Sequence, residues 1–199
     1  DKLKKFNRVG IEVSIETVTK HNAYQRQGTD TELVLEHLDR YLEQCNGNNI
    51  TLTARPAISA LTIGQYHTLL RYCLERKIIV KSLLVTRPDF LNTQILPDTI
   101  KQSYIQDYRK LIDDYDLSSI DHLQDYNESD PNQIVHIVSD QVAQCIKILN
   151  APRPADSEAQ LANLVRHCER WDRVYGYNAQ ELYPEFDCIL EQHGYDISG

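Results

Sequence analysis

The segment Arg8-Val-Gly-Ile-Glu-Val-Ser-Ile15 is short, apolar and rich in β-branched residues, and this composition predicts a β-strand that is buried on both faces. A helix is predicted next, because Thr29 and Glu32 have the spacing of a capping box and apolar residues then recur at helical intervals. A second strand is predicted over residues 50–55, where apolar and polar residues alternate. The chain therefore begins with the order strand, helix, strand.

The same order continues with a helix from about Thr62 and a third strand over residues 78–85. Parallel strands need long crossovers, and the spacing between these three strands fits one helix for each crossover. Three parallel strands alone would leave open edges, so we expect the sheet to continue in residues that precede Asp1. The predicted fold class is α/β, with residues 1–97 forming the C-terminal half of a partial parallel (β/α) barrel.

The pattern becomes helical after Pro97. Helices are predicted over residues 100–115, 134–149 and 156–171, where apolar residues recur on one face. A polar segment over residues 116–130 separates the first two, and Pro131 is placed as a first helical residue. We therefore predict a second domain, an α-helical extension, over residues 98–199.

The composition is that of a globular protein and excludes several classes of function. The chain has 199 residues, of which 41% are hydrophobic, and its formal net charge is -8 with the basic residues scattered singly. Such a chain has no positive stripe for a phosphate backbone, so we expect no nucleic-acid partner. No window approaches the roughly 18 apolar residues of a membrane span, which predicts a cytoplasmic protein without a membrane partner. Five widely spaced cysteines are expected to be mostly buried free thiols.

Polar residues at the ends of the predicted strands are the candidate binding residues, because ligands of parallel α/β folds gather at the carboxyl ends of strands. Ser14 and Glu16 fall on one face of the first strand, where a hydroxyl and a carboxylate could hold a ribose diol. Arg26 in the following loop could bind a carboxylate. Thr53 and Arg55 share the polar face of the second strand. The alternatives are that Ser14 and Glu16 only end a strand, and that Arg26 pairs with Asp30 or Glu32.

A sequence pattern around the first strand resembles a known family. The string S-I-E-x4-H-N-x-Y-x-R-x-G is formed by Ser14, Glu16, His21, Asn22, Tyr24, Arg26 and Gly28. It is similar to the fourth-strand region of radical S-adenosylmethionine enzymes, particularly members with a C-terminal SPASM or twitch extension. Softer matches follow in the expected order, at residues 53–59, 85–91 and 171–186. The resemblance implies that Ser14 and Glu16 face the ribose of S-adenosylmethionine and that Arg26 helps to hold the substrate or cofactor.

The chain lacks the CxxxCxxC motif that holds the four-iron four-sulfur cluster in this family. We therefore expect no metal ligands here, name no catalytic residue, and expect this chain alone to be inactive. With an iron-sulfur half upstream, the complete protein would abstract hydrogen from a peptide or small-molecule substrate. Two alternatives stay open: a catalytically degenerate barrel that serves as a nucleotide- or protein-binding module, and an unrelated barrel enzyme acting on a phosphorylated or sugar substrate.

Overall fold

The computed structural model of the chain describes residues 5–45, 50–117 and 133–197. Strands and helices alternate in the first part: β1 (Val9–Val13), α1 (His21–Gln25), α2 (Thr31–Cys45), β2 (Ile50–Ala54), β3 (Ala57–Ile58), α3 (Ile63–Arg76), β4 (Ile79–Val80) and β5 (Leu83–Leu84). Helices follow: α4 (Asp98–Tyr115), α5 (Gln133–Leu149), α6 (Ser157–Tyr175), α7 (Ala179–Leu182) and α8 (Asp187–Gln192). Single 3-10 turns lie at Asp89–Leu91, Thr93–Ile95 and Pro184–Phe186.

The strands form two small parallel sheets. In the first sheet the order is β1, β2, β4, with Val9 opposite Ile50 and Thr53 opposite Ile79. In the second sheet β3 pairs with β5. Pro56 separates β2 from β3, because a proline has no N–H to donate to a neighbouring strand. The predicted mixed α/β fold with parallel strands is confirmed; the described ranges contain no closed barrel, and the partial barrel stays a prediction.

Two features of the sheet differ from the sequence prediction. The third strand is two short pieces, β4 and β5, rather than one run over residues 78–85. The first strand is also not buried on both faces, since Gly10 and Glu12 are exposed whereas Ile11 and Val13 pack against the core. Helix α2 contacts β2, and helix α3 contacts β4. The opposite face of the sheet is therefore open where β1 and β2 meet.

The helices after residue 97 pack directly on those before it. The hydroxyl of Tyr108 on α4 donates to the Ile63 carbonyl on α3 over 2.7 Å. The first turn of α3 approaches α4 so closely that a Cβ on Gly64 would overlap the Tyr104 ring. Tyr104 in turn donates to Glu185 over 2.6 Å. One hydrophobic cluster consequently includes buried residues from both predicted domains.

Part of the predicted helical extension lies outside the described residues. This holds for the polar segment over residues 116–130, apart from its first two residues, and for Pro131. Helices predicted over residues 100–115, 134–149 and 156–171 are confirmed as α4, α5 and α6. Across the three described ranges, no helix is both long enough and apolar enough to cross a membrane.

Candidate functional site

Glu16 and Arg26, two of the predicted binding residues, contact each other. Arg26 Nη2 lies 2.8 Å from Glu16 Oε1, and the backbone N–H of Ala57 donates to Glu16 Oε2 over 2.6 Å. The Glu16 side chain is buried, whereas that of Arg26 is 35% exposed. Both carboxylate oxygens are thus engaged by the protein. The pair joins the carboxyl end of β1 to the start of β3.

The loop after β1 is held by the C-terminal segment, defined here as residues 176–197. His21 Nε2 lies 2.7 Å from the Leu182 carbonyl oxygen, so this nitrogen carries a proton, because a carbonyl can only accept. His21 Nδ1 then accepts from the Thr19 hydroxyl over 2.8 Å. Burial lowers the pKa of His21, which keeps the ring neutral in this arrangement. His21 is accordingly a hydrogen-bonded packing residue.

An aromatic cluster completes the contact between α1 and the C-terminal segment. The ring of Tyr24 is fully buried, and its centroid lies 5.4 Å from Tyr177, 5.6 Å from Tyr183 and 5.8 Å from Trp171. The contacts of Tyr24 with Tyr177 and Tyr183 are edge-on, which is a geometry that aromatic side chains prefer. Ile15, Glu16 and Thr17, which follow β1, are therefore buried, whereas Ser14 is exposed.

A cavity of about 920 Å³ lies between the polar face of the first sheet and α5. Its volume is within the range of small-molecule sites. One wall is formed by residues of the sheet and the turn after it: Gly10, Glu12, Thr51, Thr53, Ile79, Val80, Lys81 and Ser82. The other wall is formed by residues of α5: Gln133, Ile137, Asp140, Gln141 and Gln144. Asn7 and Arg8, which precede β1, also line the cavity. We call this space the sheet-face cavity.

Three of the predicted residues lie in or next to the sheet-face cavity. Thr53 lines it directly. Arg55 Nε lies 3.5 Å from Oε2 of Glu12, which also lines it, and both side chains are about half exposed. Ser14 directly follows β1 and is exposed, two residues after Glu12, but it does not line the cavity. The structure therefore separates the five predicted residues into an engaged pair, Glu16 and Arg26, and a group on the open sheet face.

The charges around the sheet-face cavity are balanced. Two cations, Arg8 and Lys81, and two carboxylates, Glu12 and Asp140, lie in its walls, and the other polar groups are hydroxyls and amides. Such a lining suits a ligand that is neutral or carries both charges, and it lacks the excess of cations that phosphate binding requires.

The described residues do not fit a metal centre. They contain no group of three or more His, Cys, Asp or Glu side chains that could hold a metal ion. Cys73, Cys145 and Cys168 are buried, and burial raises the pKa of each thiol to about 12. A metal ligand must be a thiolate, so these cysteines are core residues. Cys188 is exposed.

The sequence prediction missed Glu12, Ser82 and Gln141. For Glu12 a signal existed, because it alternates with Ser14 on one face of the first predicted strand. No local signal existed for Gln141, since it reaches the cavity only through the packing of α5 on α3 and the sheet.

Searches of family models, curated proteins and solved structures found no match to the chain. The similarity to radical S-adenosylmethionine enzymes therefore stays a prediction from the sequence pattern.

Proposed function

We propose that the chain binds S-adenosylmethionine in the sheet-face cavity, as the C-terminal part of a partial barrel in a radical S-adenosylmethionine enzyme. The observation that carries the proposal is the cavity itself, in which Thr53 and Glu12 lie on the open face of a parallel sheet. In a barrel, that face of the sheet would line the interior.

The lining suits the functional groups of this ligand. The Glu12 carboxylate forms an exposed pair with Arg55 and can also accept hydrogen bonds from the ribose hydroxyls, and Thr53 adds a hydroxyl on the same sheet face. The methionine part carries an ammonium, a sulfonium and a carboxylate, and the cavity offers charges of both signs. Relative to the sequence prediction, Glu12 takes the place of Glu16, whose oxygens are engaged by Arg26 and Ala57.

The chemical step belongs outside this chain. An iron-sulfur cluster would supply an electron to the bound ligand, but the described residues do not fit its ligand set. The contribution of this chain is to bind and orient the nucleoside, and hydrogen abstraction from a peptide or small-molecule substrate is proposed for the complete protein only.

Titration calorimetry of the chain with S-adenosylmethionine tests the proposal. We expect binding that Glu12→Gln and Thr53→Val each weaken by about tenfold, because each removes one hydrogen-bonding group of the cavity. Glu36→Gln is the matched control, since Glu36 forms an exposed pair with Arg40 on α2 and should leave affinity unchanged. Equal affinities of all four proteins, or no binding to the wild type, would exclude this site.

The alternative function is a catalytically degenerate barrel that binds a nucleotide or a protein. This function needs no iron-sulfur ligands, and Cys73, Cys145 and Cys168 are buried in the core of this chain. Anaerobic reconstitution of the full-length gene product separates the two functions. The enzyme requires four-iron four-sulfur absorption, whereas the binding module shows none.

A further inference from the structure

One amide in the wall of the sheet-face cavity is held in a fixed orientation. Gln141 lies on α5, and its Oε1 accepts hydrogen bonds from the Tyr66 hydroxyl over 3.0 Å and from the Ser82 hydroxyl. Tyr66 is fully buried on α3, and Ser82 lies between β4 and β5, immediately before β5. Two separate elements therefore fix the same amide oxygen.

The orientation of Gln141 leaves its N–H2 group for the cavity. A glutamine has two donors on nitrogen and one acceptor oxygen, and here the oxygen is used by the two hydroxyls. Among the described residues, none accepts a hydrogen bond from Gln141 Nε2, and Gln141 lines the cavity. A donor that is already oriented loses little side-chain entropy when a ligand binds.

The surroundings of Gln141 suit a flat heterocycle. Ile137 precedes it by one helical turn on the same face of α5, and Ile79, which lies opposite Thr53, is on the sheet side of the cavity. These apolar side chains can cover a ring, while Glu12 and Thr53 offer hydrogen-bonding groups to a sugar. The cavity thus has an apolar part and a polar part with a fixed donor.

We propose that Gln141 is a specificity-determining residue, which donates a hydrogen bond to a ring nitrogen of the adenine of the bound nucleoside. This inference rests on the proposed function and deepens it, because it assigns the recognition of the base to α5 rather than to the strand ends. It predicts that the chain prefers nucleosides whose base has a hydrogen-bond acceptor at the ring position facing Gln141.

Gln141→Glu is the decisive variant. It keeps an acceptor oxygen for Tyr66 and Ser82 in nearly the same shape and removes the donor that faces the cavity. Gln106→Glu is the matched control, because Gln106 is exposed on α4, does not line the cavity, and the change adds the same charge. Calorimetry should show that Gln141→Glu binds adenosine and S-adenosylmethionine about tenfold more weakly than wild type, and that Gln106→Glu leaves affinity unchanged.

A ligand series tests the same contact without any substitution. We expect one of the adenosine analogues in which a single ring nitrogen is replaced by carbon to bind wild type about tenfold more weakly than adenosine. That analogue should bind Gln141→Glu and wild type equally, since the contact is then already absent. If wild type binds adenosine but either the analogues or Gln141→Glu fail to reduce affinity, the role of Gln141 is excluded, while the Glu12→Gln and Thr53→Val titrations decide the proposed site separately. If wild type binds no nucleoside, both proposals are excluded.

Discussion

Gly64 shows how closely two helices approach at a single residue. Alanine favours a helix over glycine by about 1 kcal/mol, but its Cβ would overlap the Tyr104 ring, which is buried and tied to Glu185. We predict that Gly64→Ala lowers the free energy of unfolding by about 1–3 kcal/mol, measured by urea denaturation. Gly10→Ala is the control, because a Cβ there meets nothing within 4 Å. Equal stability of Gly64→Ala and wild type would show that the ring moves without cost.

Glu16 and Glu12 are both paired carboxylates, but their surroundings differ. Glu16 is buried and receives the Ala57 N–H as well as Arg26, whereas the Glu12–Arg55 pair is exposed. We predict that Glu16→Gln lowers the free energy of unfolding by about 1–2 kcal/mol, since it weakens a charge-assisted contact in a partly buried place. Glu12→Gln should change it by less than about 0.5 kcal/mol. If Glu12→Gln loses more unfolding free energy than Glu16→Gln in a denaturation experiment without ligand, the structural role of Glu16 is contradicted.

At the scale of elements, the sequence correctly predicts which long segments are helices or strands, but it misplaces the residues at which some of them begin and end. Apolar periodicity indicated α4, α5 and α6 and the parallel strands of the sheet. The capping-box pattern predicts that α2 starts at Thr29, yet Asp30 accepts the hydrogen bond from the Leu33 N–H, because several neighbouring residues can cap a helix. The break between β4 and β5 was not predicted, since it depends on how Pro56 divides the neighbouring strand.

The junction of α1 with the C-terminal segment should be sensitive to acid. Burial lowers the pKa of His21 below its usual 6.5, with Glu185 opposing and Lys20 assisting the shift. Below about pH 6.5 the unfolded chain binds more protons than the folded one, so stability falls as the pH falls and is constant above that range. We predict that the free energy of unfolding decreases from pH 7.5 to 5.5, and that His21→Gln reduces this decrease.

The control for the pH experiment is His37→Gln, because His37 is exposed on α2. It should leave the difference in unfolding free energy between pH 7.5 and pH 5.5 as in wild type. His67 and His167 also have a pKa lowered by burial, so His21→Gln removes part of the decrease rather than all of it. If the free energy of unfolding of His21→Gln falls with pH as steeply as that of wild type, the loop opens before the His21 ring is protonated.

At the scale of the molecule, the candidate site is assembled from distant parts of the sequence. Thr53 and Glu12 were accessible to prediction because strand alternation places them on a polar face. Gln141 was not, because its position depends on helix packing across about 60 residues of chain from Ser82. The strand-end rule indicated Glu16 and Arg26, but these two residues pair with each other, and Glu16 also accepts from the Ala57 N–H.

The continuity of the core leads to a prediction for the whole chain. Buried residues from β2 to α8 form one cluster, and Trp171 on α6 packs on Tyr24 of α1. We predict one cooperative unfolding transition, in which Trp171 fluorescence and far-ultraviolet circular dichroism coincide. Leu52→Ala removes a buried side chain from β2 and should lower the free energy of unfolding by about 2–4 kcal/mol with both probes. A variant in which the dichroism shifts and the fluorescence of Trp171 does not would show that residues 1–97 and 98–199 unfold as separate domains, because the loss of packing in the sheet would then not reach α6.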